Sequence, residues 1–402
     1  MADGASGRTP VEPVDPIEFS DVQRDFRAVV REFARTRVAP FADEWDAHGE
    51  FPLAAVQEMG DLGLFGITAE EQYGGTDAGL VSLCLAIEEI GRADQSLGIT
   101  LEAAVGLGIQ PIATYGSAEQ KQRWLPDLVA GRALAGFGLT EPGAGSDAAA
   151  ITTRARLDAD EWVLDGAKQF ITNSGTPITS LVTVMAVTDQ HADGRTATSA
   201  IVVPAGTAGF TVEPAYRKLG WHSSDTHALT FAGARVPAGN LLGRRGRGLA
   251  QFLATLAEGR IAVAALAVGC IQACLDLAVP YAGERVAFGA PIGRKQGVAF
   301  DLADVAVMAD AARALTYRAA AAYDAGASPA QVSHAASVAK LYATESAVTA
   351  TRVATQVFGG YGFCEEYPIA RFYRDAKILE IGEGTSQVQR LLIARGLGLD
   401  VE

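Results

Sequence analysis

The feature that most constrains this chain is a change of hydrophobic period, made twice. From Ser20 to about Leu134 apolar residues recur at helical spacing. Val22, Phe26, Val29, Val30 and Phe33 stand at i, i+4, i+7, i+8 and i+11, one face of a helix. Ser20 and Gln23 form a capping box that starts it, and Pro40 ends it or lies just beyond its end. Further helical runs cover residues 80–90, 96–115 and 118–129, with a Gly-rich turn at Tyr73-Gly74-Gly75-Thr76. Between Ala135 and Leu242 the period shortens to that of strands. Trp162-Val163-Leu164 and Gln169-Phe170-Ile171-Thr172 flank Asp165-Gly166, which predicts a hairpin. Residues 180–187, 199–203, 210–212 and 229–236 are short runs rich in β-branched residues. After Gly248 the helices return and are long, with Leu249, Phe252, Leu253 and Leu256 at i, i+3, i+4 and i+7. Ala-rich segments follow to Gly283, then over 296–325 and 330–358.

Helices, then strands, then helices exclude an alternating βαβ sheet. The pattern predicts an α+β multidomain chain: an N-terminal all-α domain (residues 17–134), a small antiparallel β domain (135–243) and a C-terminal helical bundle (244–402). The last is a four-helix bundle closed by a helix through residues 387–395. Residues 1–16 hold three prolines and no apolar run, so they read as a disordered tail and not as a signal peptide. The uncharged apolar stretch 261–275 is shorter than the ~20 residues a bilayer span needs.

Charge narrows the function. Lys and Arg number 33 against 47 Asp and Glu, a net of −14, the reverse of a nucleic-acid footprint. Cys84, Cys270, Cys274 and Cys364 contain no CxxC pair and read as core residues of a protein kept in a reducing compartment, the cytoplasm. There is no GxGxxG, no P-loop and no GxSxG elbow. His48, His191, His222, His227 and His334 form no HExxH, and no metal site is expected. Acid–base chemistry then falls to carboxylates.

Two glycine-rich polar segments interrupt the regular pattern. Gly138-Leu139-Thr140-Glu141-Pro142-Gly143-Ala144-Gly145-Ser146-Asp147 lies where helices give way to strands. Its glycines and hydroxyls suit a phosphate or a heteroaromatic edge, and equally a tight domain-crossing loop. The second runs from Gln356-Val357-Phe358-Gly359-Gly360-Tyr361-Gly362-Phe363 to Ile381-Gly382-Glu383-Gly384-Thr385-Ser386-Gln387. Between these, Arg371, Arg374 and Lys377 recur every three residues. Glu383, flanked by glycines and preceded by Ile381, fits a desolvated general base, or a helix-opening carboxylate on the dipole.

Together these segments resemble the acyl-CoA dehydrogenase family over about residues 19–399. The family signatures are matched by residues 138–150 and 356–375, by Gly382-Glu383-Gly384-Thr385-Ser386-Gln387, and by Arg285-Val286-Ala287-Phe288-Gly289. The resemblance implies noncovalent FAD. Contacts are expected from Phe137, Leu139, Thr140, Ser146, Phe170 and Thr172, with Thr385 and Gln387. Arg285, Phe288, Gln296, Gln356, Gly359 and Gly360 are expected to meet the flavin of a neighbouring subunit, which implies a homo-oligomer, usually a tetramer. It also implies α,β-desaturation of an acyl thioester. Glu383 would remove the α-proton and the β-hydride would go to flavin N5, with Ser146, Arg260 and Gly384 near the substrate. The implied acceptor is an electron-transferring flavoprotein. An oxidase or monooxygenase on the same fold, or a dehydrogenase of carrier-bound acyl groups, shares these motifs. Some members carry the base on the first bundle helix, where this chain has Gly259. Glu258 stands one residue away, a rotation of about 100° on a helix. Two departures are Gly382 where many members have Tyr, which implies a wider acyl pocket, and Phe170 where Trp is common. Arg244-Arg245-Gly246-Arg247 fits either CoA phosphates or a solvated interdomain loop.

Overall fold

The computed structural model describes residues 15–190 and 195–401, so most of the expected N-terminal tail lies outside the described residues. The N-terminal part contains α1 (Asp21–Phe33), α2 (Ala42–His48), α3 (Leu53–Asp61), α4 (Gly79–Ala93), α5 (Gln95–Glu102), α6 (Gln110–Tyr115) and α7 (Ala118–Val129). The Ser20–Gln23 capping box is formed as expected, and Pro40 lies beyond the end of α1. The buried face of α1 is narrower than its sequence pattern. Val30 and Phe33 are in the core and Phe26 is half-buried, while Val22 and Val29 are exposed. α4 covers only one side of α1, so that row of apolar residues is left outside.

The strands are β1 (Leu134–Gly138), β2 (Arg154–Asp158), β3 (Glu161–Thr172), β4 (Thr179–Gln190), β5 (Thr196–Pro204), β6 (Phe210–Val212), β7 (Thr226–Pro237) and β8 (Leu241–Leu242). They run β6-β7-β3-β2-β4-β5-β8, with β1 against β4. The expected antiparallel sheet is in fact mixed: β1 pairs parallel with β4, as does the first residue of β2. The path β2–β3–β4 reverses twice and so returns β4 to the direction of β1.

The hairpin expected at Asp165-Gly166 is absent. The chain turns instead at Ala159, between β2 and β3, and Asp165-Gly166 is a bulge inside the continuous strand β3. β7 pairs with β3 along almost its whole length, and a turn at Asp165 would leave half of that ladder unbonded. At the bulge Gly166 has φ 144°, and a Cβ there would lie 2.6 Å from Thr153 Oγ1.

The C-terminal part holds α8 (Gly248–Glu284), α9 (Gln296–Asp324), α10 (Pro329–Phe358), α11 (Pro368–Ala376) and α12 (Ser386–Gly396). α8, α9 and α10 pack on one another, with α12 on α10. One apolar core runs from the N-terminal helices through this bundle to one face of the sheet, and a second fills the sheet's other side. Two helical runs, Gln95–Tyr115 and Gly248–Glu284, are long and apolar enough to cross a membrane, but both are mostly buried in this core. Buried charges tie the three parts together. Arg371 pairs with Asp94 and Asp43 (both 2.9 Å), and Asp375 accepts the Trp221 N–H (2.6 Å).

Candidate active site

α8 fixes the centre of the site, because Glu258, Gly259 and Arg260 follow one another on it. Glu383 sits in the loop before α12, in a left-handed conformation (φ 52°), and turns its carboxylate toward Gly259. A Cβ on Gly259 would come within 2.3 Å of Glu383 Oε2. The missing side chain is therefore the space the carboxylate occupies. Both Glu383 oxygens are shielded from solvent, and no N–H or O–H donor reaches them among the described residues. Glu102, at the end of α5, is fully buried, and both of its oxygens are likewise without a partner among the described residues. Burial holds the Glu383 carboxyl above the ordinary carboxylate range, against the pull of Glu102, Arg260 and Lys340. Burial, then the charge of Glu383, pushes Glu102 well up.

Glu258 points elsewhere. Its Oε2 accepts hydrogen bonds from Gln110 Nε2 and Tyr323 OH (both 2.8 Å), and burial raises it to about 7. Arg260 is buried with its Nε 3.4 Å from the Glu383 carbonyl. The Gly384 carbonyl is occupied by Lys340 Nζ (2.9 Å) and Gln389 Nε2 (2.8 Å). Thr385 caps α12 by accepting from Val388 N–H (3.3 Å), and Gln387 is exposed beside it.

The glycine loop after β1 is held by an ion pair that sequence reasoning missed. Glu141 is buried and bonded to Lys168 Nζ (2.8 Å), to the Thr152 N–H (2.6 Å) and hydroxyl (2.8 Å), and to the Thr153 N–H (2.9 Å). Burial opposes its charge, but these donors hold Glu141 at about 2. Lys168 also reaches the Leu139 carbonyl (3.0 Å), and burial lowers it to about 8. So anchored, the loop presents Gly143 and Gly145 to open space, where a Cβ would meet nothing within 4 Å. Ser146 is exposed and Thr140 and Thr172 are half-buried. Phe170 is 60% exposed at φ 60° beside Tyr216, a large apolar ring turned outward at a strained position. Leu139 is buried, and Phe137 is packed inward on Phe252 with ring centres 4.1 Å apart, so its ring is committed to the core.

Arg285, Phe288, Gln296, Gln356, Gly359 and Gly360 form a separate group at the far end of the bundle. Arg285 lies over the Tyr361 ring at 5.5 Å, and Tyr281 stacks on Phe358 at 4.1 Å. Phe288 is 95% exposed. Arg285 follows Gly259 by 26 residues on α8, about 40 Å at 1.5 Å per residue, so it cannot serve the Glu383 site of its own chain. Of the basic run, Arg245 is engaged locally, paired with Asp189 (2.7 Å) and lying over Trp162. Glu102 and Lys340 went unnoticed in the sequence. Their only signal is a lone charge inside an apolar or small-residue helical run.

An open glycine cradle, an outward aromatic ring and a buried carboxylate free of donors fit a planar cofactor and a substrate carbon acid. Family comparison agrees. The N-terminal, middle and C-terminal domain models of acyl-CoA dehydrogenase match residues 20–132, 136–234 and 246–398. The chain belongs to the acyl-CoA dehydrogenase family. A probable acyl-CoA dehydrogenase of Bacillus subtilis is 45% identical over 94% of this chain and 99% of its own length. The mitochondrial short-chain specific acyl-CoA dehydrogenase of Mus musculus is 41% identical over 94% and 90%. The solved butyryl-CoA dehydrogenase of Megasphaera elsdenii superposes with a TM-score of 0.91 at 39% identity, covering 95% of this chain and all of the other. This acyl-CoA dehydrogenase is therefore an FAD oxidoreductase.

Proposed function

We propose that this acyl-CoA dehydrogenase desaturates a short or branched acyl-CoA between Cα and Cβ, with Glu383 as the α-proton base. The buried, donor-free carboxylate in the space left by Gly259 carries the reading. Residues 139–146, Phe170, Thr172, Thr385 and Gln387 would hold the flavin on one side. FAD, when bound, supplies the acceptor for the β-hydride. The α C–H proton passes to a Glu383 oxygen, and the product is a 2-enoyl thioester. Desolvation strengthens Glu383 as a base, and Arg260 and the Gly384 loop fix its direction. Glu258 is the weaker candidate because its carboxylate already accepts from Gln110 and Tyr323. Gly382 has only the Ile378 carbonyl near its absent Cβ, at 3.5 Å, so the backbone does not demand glycine and the gap widens the acyl space.

The distance of Arg285 and Phe288 from their own chain's base supports a flavin site shared between copies, in a homotetramer. The free cysteines suit a cytoplasmic enzyme, and the family supports an electron-transferring flavoprotein as acceptor. Anaerobic titration with butyryl-CoA tests the chemistry. The flavin absorbance should bleach in the native enzyme, and Glu383→Gln should keep FAD but not bleach. Bleaching by Glu383→Gln would overturn the assignment.

A further inference from the structure

The loop that carries Glu383 is held in a conformation the chain would not choose alone. Glu383 (φ 52°) and Gly384 (φ 96°) are two successive left-handed residues, and the first bears a Cβ. Donors from three helices close on their carbonyls. Arg260 Nε on α8 lies 3.4 Å from the Glu383 carbonyl, and Gln389 Nε2 on α12 reaches both carbonyls, at 3.4 and 2.8 Å. From α10, Lys340 Nζ lies 2.9 Å from the Gly384 carbonyl. Lys340 is fully buried and is the only charged residue among the buried positions of α10. An ammonium is a costly way to hold one carbonyl, because burial penalises the charge and a neutral amide is already in place.

We propose that Lys340 is a positioning residue for the base: it holds the Gly384 carbonyl so that Glu383 stays left-handed, and its charge stabilises the Glu383 carboxylate. Glu383 faces Glu102 from α5, Glu258 and Arg260 from α8, and Lys340 from α10. Burial disfavours ionisation of the base, and Glu102, Arg260 and Lys340 favour it. Lys340 in turn feels Arg260, Glu345 and Glu380, and burial lowers it to about 8, so it is charged at neutral pH. Removing it leaves Arg260 and Glu102 alone against burial.

The inference rests on Glu383 as the base, but its test does not need turnover. Lys340→Gln keeps a donor without charge, and Lys340→Met keeps neither. In the FAD-loaded enzyme, hydrogen exchange of residues 381–389 should accelerate roughly tenfold in Lys340→Met, the loss of one hydrogen bond to a charged group, and less in Lys340→Gln. In pH-difference infrared spectra, the carboxyl band identified by its disappearance in Glu383→Gln should titrate at higher pH in both variants. The acid limb of flavin reduction by butyryl-CoA should move up with it. Unchanged exchange and an unchanged midpoint in both variants overturn the proposal, whatever happens to the melting temperature. Should Lys340→Met not fold, the Lys340→Gln midpoint decides alone. A native enzyme that butyryl-CoA does not bleach refutes the assigned chemistry, while exchange and midpoint still decide the role of Lys340.

Discussion

Gly259→Ala isolates the geometry of the base from the stability of the fold. The new Cβ would stand 2.3 Å from Glu383 Oε2, where ordinary contact begins near 3.4 Å, and the backbone of α8 is fixed by packing on α4, α9 and α10. The end of the Glu383 side chain is the soft element, so it moves, by about 1 Å. A misplacement of that size costs about 10²-fold in rate, or about 2.7 kcal/mol of barrier. Stability should move the other way, since Ala is favoured over Gly inside a helix by about 1 kcal/mol. Rapid mixing with saturating butyryl-CoA, followed by flavin absorbance, reads the rate, while FAD content and thermal melting read the fold. Gly382→Ala is the control, because its Cβ would meet only the Ile378 carbonyl at 3.5 Å and should cost little. If Gly259→Ala reduces flavin at the native rate, the carboxylate does not work from that space. If rate and melting temperature fall together, the glycine serves packing instead.

Four further outcomes follow from the same geometry. Lys168→Met leaves Glu141 buried without its cation and should destabilise by about 3–5 kcal/mol, with loss of FAD as the glycine loop loosens, read by melting and flavin content. Glu258 is raised from 4.5 to about 7, so the folded state holds its proton longer than the unfolded chain. That stabilisation is full below pH 4.5 and is lost as pH rises through 7, so Glu258→Gln should raise stability at pH 8 by up to about 3 kcal/mol and change little at pH 4 in denaturant titrations. Arg285→Ala and Glu383→Gln should each be inactive alone, yet regain activity when co-expressed, because one copy supplies the base and the other the arginine; no recovery would place both in one subunit's site. Gly382→Tyr should shift preference from branched toward straight short acyl-CoAs, measured as the ratio of kcat/KM values.

Much of the fold was legible because long helices repeat their burial. The runs that became α4, α7, α8, α9 and α10 were visible within a few residues, and so was the capping box of α1. Errors arose where a local signal met a stronger distant one. Asp165-Gly166 is a good turn dipeptide, but the ladder with β7 made it a bulge. Val22 and Val29 fit a helical stripe, but α4 covers only part of it. The parallel pairing of β1 left no trace in its five residues, since strand direction is decided by the partner.

The site divides in the same way. Glu383 and the glycine loop could be found in the sequence by residue type and spacing, because flanking glycines and interrupted periods mark backbone that must approach something closely; Gly259 and the Arg285 segment stood out only through the family resemblance. What surrounds them could not. Glu102 lies 281 positions before Glu383, Lys340 lies 43 before it, and Glu141 meets Lys168 across the sheet. Their burial, and hence their charge states, exists only once α5, α8, α10 and α12 are packed together. The sequence by itself determined which groups can do chemistry. The tertiary structure decided how strong a base Glu383 is, because desolvation and opposing charges depend on distances that no spacing along the chain contains.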